Sequence, residues 1–291
     1  MSRSWEGECG ASWRGRHLHG LGVRRRSATE PCEGWTVSQA LPLLAARRLE
    51  VALISPLIEK LSRRDFISEE EKAVLADVVA PPVTLKAGQN IVEQYDRPSR
   101  STLLLDGFAA RYVVLMNGAR QITELNVPGD FVDLHSLLMS PMDHGVVCLT
   151  DCKVGYCPHE ALRFISQTQP HLTRLLWLET LIDAAVHRQW LAGLGRRTAF
   201  GRFAHFLCEV YLRLASVERA EGHRMELPLS QAILADVLGL SAVHVNRSVA
   251  QLRADGLVEW SGRMIRILDW DRLVRVAEFD PTYLRLGRDP V

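Results

Sequence analysis

The stretch from Ser230 to Leu268 constrains this 291-residue chain most, because caps, apolar spacing and turn residues agree along its whole length. Ser230 is suited to cap a helix whose apolar residues Ile233, Leu234, Val237 and Leu238 recur at helical spacing, and Gly239 suits its C-terminal end. Ser241 caps a second helix at once. In it Val245, Val249 and Leu252 recur at steps of four and three and so form one buried stripe. Only Gly239 and Leu240 separate the two helices, which is the spacing of a helix-turn-helix, and Ala235 is small enough to let them meet.

That stripe turns Val243, Asn246, Arg247, Ala250 and Arg253 outward. On an outward face Arg247 can fork onto guanine O6 and N7, Asn246 and His244 can reach a base edge or a phosphate, and Val243 can pack on a thymine methyl. Gly256 ends the helix. Leu257 to Trp260 and Met264 to Leu268 read as strands around a Ser261-Gly262 turn, a wing that sets Arg263 and Arg266 toward a phosphate backbone. The expected contacts to double-stranded DNA are therefore Gln231, Ser241, Ala242, Val243, His244, Asn246, Arg247, Arg253 and Arg263. The plain alternative is a helical hairpin packed on a small sheet, which gives the outward arginine and the wing no task.

Upstream, Leu57, Ile58 and Leu61 make a short apolar helical face, and Ser68 before Glu69, Glu70 and Glu71 signals a capped helix that Pro81-Pro82 ends. The period then changes to short strands. Gly107, Gly118 and Gly129 recur at intervals of 11 between Leu103–Leu105, Tyr112–Leu115 and Ile122–Leu125, with Val146–Leu149 following, which is the pattern of an antiparallel roll or jelly roll. From Pro170 to Gly193 the period is helical again. Leu175, Leu178, Ile182, Ala185, Gln189 and Ala192 alternate steps of three and four, the spacing of a coiled-coil seam and hence of a homodimer. Gly193-Leu194-Gly195 reads as a hinge. Phe200, Phe203, Leu207, Val210, Tyr211 and Leu214 then form a core stripe, Trp270 to Phe279 a short amphipathic helix, and the tail from Pro281 a loose end.

The run from Gln231 to Gly256, with Gly-Leu-Ser at 239–241 and Val-Asn-Arg at 245–247, resembles the winged helix of the Crp/Fnr superfamily of bacterial transcription regulators. The resemblance covers about residues 51–268. It implies an α+β homodimer with an N-terminal cyclic-nucleotide-binding-type β-roll, a long dimer helix and a C-terminal winged helix-turn-helix, and RNA polymerase as a further partner. The domains would be 51–168, 169–194 and 195–269, with a helix and tail at 270–291; residues 1–50 would be a disordered leader or the product of a start misassigned upstream of Val51. Members with a glutamate at the place of Val243 read a cytosine through it, so this chain's half-site should differ there. The likeness is to the Fnr/FixK side. In the nucleotide-binding members a Gly-Glu pair, a short helix and Arg-Ser hold a cyclic phosphodiester; Pro128-Gly129-Asp130 matches the opening, but no arginine occurs between Arg120 and Arg163, so useful binding of cyclic AMP is not expected.

Other effectors stay open, and the cofactor is unassigned. Cys148, Cys152 and Cys157 read as buried structural thiols before iron–sulfur ligands, since the odd step to 157 puts the third on the opposite strand face. His135 and His144, near Asp133 and Asp143, read as solvated or locally hydrogen-bonded loop residues before a haem or metal site, and no metal is assigned; His205 and Cys208 read as packing or surface residues.

Composition sets the outer bounds. With 47% hydrophobic residues there is ample core for two domains, and no apolar run reaches a membrane span of about 20 residues. Six cysteines without a regular framework suit reduced thiols in a cytoplasm. The net charge of +1 divides into +3 for residues 1–50, −4 for 51–195 and +2 for 196–291, so the acidity belongs to the roll and the arginine excess to the reader. Neither a paired acid and base, a nucleophile constellation nor a Gly-rich phosphate loop points to an enzyme.

Overall fold

The computed structural model describes residues 51–289 and Val291, and the expectations for residues 1–50 lie outside them. The chain enters through two helices, α1 (Ser55–Arg64) and α2 (Glu69–Val78). Ser68 caps α2 with the reciprocal bonds of a capping box: its Oγ accepts from the Glu71 amide, and the Glu71 carboxylate accepts from the Ser68 amide. Seven strands follow: β1 (Val83–Leu85), β2 (Asn90–Val92), β3 (Arg100–Asp106), β4 (Ala109–Val114), β5 (Arg120–Asn126), β6 (Gly145–Cys148) and β7 (Cys152–Pro158). They pair antiparallel as two sheets in the orders β1-β7-β3 and β2-β6-β4-β5.

Strand periodicity decides what each face of these sheets covers. Leu104, Val146, Cys148, Cys152 and Val154 fill the space between the sheets, whereas Leu103, Leu105 and Cys157 face the other way and meet α1, α2 and the following helices. The third cysteine is thus on the opposite face from the first two. At the β3–β4 turn Gly107 has φ +90°, and a Cβ there would lie 2.5 Å from the Asp151 carbonyl oxygen, so the turn admits no side chain.

Helix α3 (His159–Thr168) leads into α4 (Pro170–Arg196), 27 residues long, and α4 into α5 (Ala199–Ser216). Gly193 and Gly195 remain helical within α4. The break falls at Arg197 and Thr198, later than the glycines suggested: the Arg197 guanidinium donates to the Gln189 carbonyl, bracing the last turn, and Thr198 Oγ1 caps α5 by accepting from the Gly201 amide. Next come β8 (Ala220–Glu221), β9 (Arg224–Glu226), α6 (Gln231–Leu238), α7 (Ala242–Ala254), β10 (Val258–Ser261), β11 (Met264–Ile267) and α8 (Trp270–Ala277), with the sheet order β10-β11-β9-β8. The tail is not loose. Pro281–Leu284 forms a 3-10 turn, Leu284 is buried, and Tyr283 donates to Glu209 at 2.6 Å.

A buried ionic network joins the roll to the helices. Asp130 accepts from Lys60 of α1 at 2.7 Å, from Arg213 of α5 at 2.7 Å and from the Val127 amide at 2.8 Å. Arg111 of β4 pairs with Glu124 at 2.6 Å and with Asp183 of α4 at 2.8 Å, and also donates to the Val132 and Phe131 carbonyls. Lys60 and Arg64 both pair with Glu179 of α4. Burial alone would raise the Asp130 carboxyl, but Lys60 and Arg213 outweigh it and hold the group down at about 2; burial pushes Glu124 up, to about 8, with Arg111 and Arg213 offsetting only part.

Because the folded-state value for Asp130 lies below the ordinary 3.8, the unfolded chain takes up this proton more readily. Its contribution, about 2 kcal/mol, is present above pH 4 and lost as pH falls toward 2. Acid titration of thermal stability should therefore be shallower between pH 4 and 2 in Asp130→Asn than in the parent chain, and the variant should be less stable at neutral pH.

Candidate nucleic-acid interface

The reader is built as its caps and periods dictate. Ser230 Oγ accepts from the Ile233 amide to start α6, Gly239 ends it in the left-handed region at φ +59°, and Ser241 Oγ accepts from the His244 amide to start α7. The turn between the helices favours glycine for its φ, and Leu194 of α4 lies against it, its Cδ2 2.8 Å from where a Cβ would stand. Val245, Ser248 and Leu252 are buried under α7, while Ser241, Ala242, Val243, His244, Asn246, Arg247, Ala250 and Arg253 are exposed. Val243 is 65% exposed on the outer face of α7.

These positions differ in how free they are. Among the described residues the side chains of Asn246 and Arg247 make no hydrogen bond or ion pair, so both are available to an incoming ligand. The His244 ring lies 2.9 Å from Ser241 Oγ. Arg253 is committed to its own wing, donating to the Trp260 carbonyl, and Arg263 lies 3.0 Å from Glu226. Arg266 is 3.9 Å from Glu259. Gln231 opens α6, exposed, and the wing strands β10 and β11 turn at Gly262 with φ +58°.

On α4 part of the row expected as a seam is buried within the chain itself. Leu175 and Ile182 are buried in their own chain's cores, with Leu178 packed beside Ile182 and Ala185 and Gln189 half-buried. The exposed stripe is instead Arg174, Trp177, Leu181, Arg188 and Leu191, with Ala184 half-buried in the same row; Trp177, Leu181 and Leu191 are 65%, 52% and 71% exposed. Both rows share the three-and-four spacing, and only packing on the roll decides which one faces out.

In the roll, Asp130 of the Pro-Gly-Asp run points into the ionic network, and Arg111 is enclosed by two carboxylates and two carbonyls. Asp133 accepts from the Thr102 amide and hydroxyl; burial lifts its carboxyl to about 7. It is therefore not part of a histidine group. His135 and His144, expected to be solvated or locally hydrogen-bonded, are half-buried and buried with centroids 4.9 Å apart; His144 Nδ1 has the local bond, to Asp143, but the Nε2 atom of each ring is buried without a hydrogen-bond partner. Burial lowers both, His135 to about 4, with the Arg111 guanidinium adding to it. His205 is buried as well, stacked on Tyr283 and edge-on to Phe279. Sequence reasoning missed the network of Lys60, Arg111, Glu124, Asp130 and Arg213 and a direct bridge from roll to reader, in which Arg120 pairs with Asp236 of α6 at 2.6 Å and Gln121 donates to the Asp236 carbonyl at 2.9 Å.

Comparison with known proteins agrees with this architecture. Residues 82–169 match the cyclic nucleotide-binding domain family and residues 201–276 the Crp-like helix-turn-helix domain family. A probable transcriptional activator of Rhizobium leguminosarum bv. viciae is 31% identical over 194 residues, 66% of this chain and 79% of that protein. The transcriptional activator protein FnrL of Cereibacter sphaeroides is 28% identical over 199 residues, covering 67% and 79% of the two chains. The solved structure of FixK2 from Bradyrhizobium japonicum superposes with a TM-score of 0.62 at 27% identity, over 68% of this chain and 97% of that one. The chain belongs to the Crp/Fnr family of DNA-binding transcription regulators, and within it to the Fnr/FixK type.

Proposed function

We propose that the protein acts as a homodimer that sets one α7 into each of two successive major grooves of a palindromic operator, the half-sites about one helical turn apart. The observation that carries this reading is the exposed, unpartnered pair Asn246 and Arg247 on a capped helix beside a wing. Arg247 reads a guanine, Asn246 and His244 a neighbouring base edge or phosphate, and Val243 a thymine methyl in place of a hydrogen bond. Ser241, Ala242 and Gln231 approach the backbone at the helix N-termini. Arg253 and Arg263 reach phosphate only after leaving Trp260 and Glu226, so they contribute less than their charge suggests.

The stripe Trp177, Leu181, Ala184, Arg188 and Leu191 supports α4 as the dimer seam, with exposed apolar side chains repeating on one helix face. Activation through contact with RNA polymerase in the cytoplasm is the reading that the relatives' activator names favour. No helix among the described residues is long and apolar enough to cross a membrane. Asp236 on α6, bound to Arg120 and Gln121 of the roll, supports regulation of the reader through the roll. Cyclic AMP is not the signal: the carboxylate at 130 is occupied by Lys60 and Arg213, and Arg111 has no open donor face for a phosphodiester.

Selection of binding sites from genomic DNA tests the reading directly, with a two-fold symmetric motif as the expected outcome. Arg247→Ala should weaken binding to that site by about 1–3 kcal/mol, roughly 5- to 150-fold, and relax the preference at one base pair per half-site, read by mobility shift against single-base variants. Leu181→Arg should give a monomer at micromolar concentration in sedimentation and lose operator binding with it, while Leu191→Ala weakens association less. Calorimetry with cyclic AMP should detect no micromolar binding.

A further inference from the structure

Among the described residues, a side-chain cluster without a task so far lies in the roll. His135 sits on the 3-10 turn Leu134–Leu137, and Asp143 and His144 lie on the loop entering β6. One donor atom from each of the three falls within 4.8 Å of the others. His144 Nδ1 lies 2.8 Å from Asp143 Oδ1, and the carboxylate fixes the tautomer with the proton on Nδ1, leaving a lone pair on Nε2. That Nε2 atom and the Nε2 atom of His135 are both buried and both unpartnered. A buried polar atom without a partner costs about 1–3 kcal/mol, and here two of them occur on adjacent rings.

We propose that His135, His144 and Asp143 form a binding site for one divalent first-row transition-metal cation, held by the two imidazoles with the carboxylate as third ligand or as the partner that orients His144. Two imidazoles bound to one ion at about 2.1 Å place their ring centroids about 4.5–5.2 Å apart for right-angle to tetrahedral arrangements, and the observed separation is 4.9 Å. Two nitrogens and one oxygen suit zinc, cobalt, nickel or ferrous iron; calcium and magnesium call for oxygen ligands. Burial disfavours the charged form of both rings, and neutral imidazole is the form that ligates. The nearby Arg111 charge opposes a cation, but Glu124 and Asp183 pair with it directly. Three protein donors leave positions open to water or a small ligand. The inference stands apart from the DNA reading, since the site is complete within the roll.

The test is titration of the untagged full-length chain, metal-free, with Co2+ as the probe, followed by visible ligand-field absorption and by calorimetry, and then displacement by Zn2+. One Co2+ per chain with a dissociation constant of about 10 µM or below is expected. His135→Gln and His144→Gln should each weaken binding at least tenfold, and Asp143→Asn, a change at an exposed side chain that leaves the core intact, roughly 10- to 100-fold. Circular dichroism and operator binding establish that each variant is folded. Absence of uptake by the parent chain overturns the proposal. So does uptake that persists unchanged in both histidine variants, or that carries thiolate charge-transfer absorption, because the ion then lies on other residues.

Discussion

The pairing of Asp130 with Lys60 and Arg213 is the contact on which the arrangement of the two halves depends. Asp130 belongs to the roll, Lys60 to the first helix and Arg213 to the helix on which the reading helices rest, and all three side chains are almost fully removed from water. Ion pairs of this kind add little net stability over apolar residues of the same volume, because desolvation offsets the attraction. Their effect is on geometry. An unpaired charge in such a place costs about 3–5 kcal/mol, so alternative placements of α5 on the roll that separate Arg213 from Asp130 are excluded, while apolar contacts alone would tolerate sliding. Arg111 does the same for α4, binding Asp183 on the helix and Glu124 on the sheet while capping the Phe131 and Val132 carbonyls of the roll.

The reader was legible because its determinants are local. Caps at Ser230 and Ser241, a glycine at 239 and a stripe at 245, 249 and 252 all fall within about two dozen residues; the structure has the caps, the glycine, Val245 and Leu252 in those roles, with Val249 half-buried and Ser248 buried beside them. The roll was legible from glycine spacing for the same reason: Gly107, Gly118 and Gly129 all have positive φ at strand ends. The ionic network was not, since Lys60, Arg111, Glu124, Asp130, Asp183 and Arg213 have no period and meet only after the roll has folded against three helices. Which row of α4 faces out was not legible either, for a similar reason. Leu175, Leu178 and Ile182 and the row Arg174, Trp177 and Leu181 have the same spacing, and the roll, by covering the first row, leaves the second to solvent. Tyr283 and Phe279 gave no local sign that they would close over Glu209 and His205, which is why the tail read as loose.

The corrected hinge changes how motion can reach DNA. Gly193 and Gly195 inside α4 leave the helix continuous through the contact that Leu194 makes at Gly239, the turn between α6 and α7. On its other side α6 is held by Arg120 and Gln121 of β5 through Asp236. The turn that aims α7 is therefore in contact with the end of α4 and, through α6, with the edge of the roll.

Two routes from the roll to α7 follow, and they differ in kind. Through Arg111 and Asp183 a displacement of the Phe131–Asp133 segment reaches α4. Through Arg120 and Asp236 a displacement of β5 reaches α6 within one subunit. The first pair is buried and the second about one-third exposed, so salt screens the second far more. The His135 turn follows directly on the carbonyls that Arg111 holds, so a displacement there bears on the buried Arg111–Asp183 link to α4.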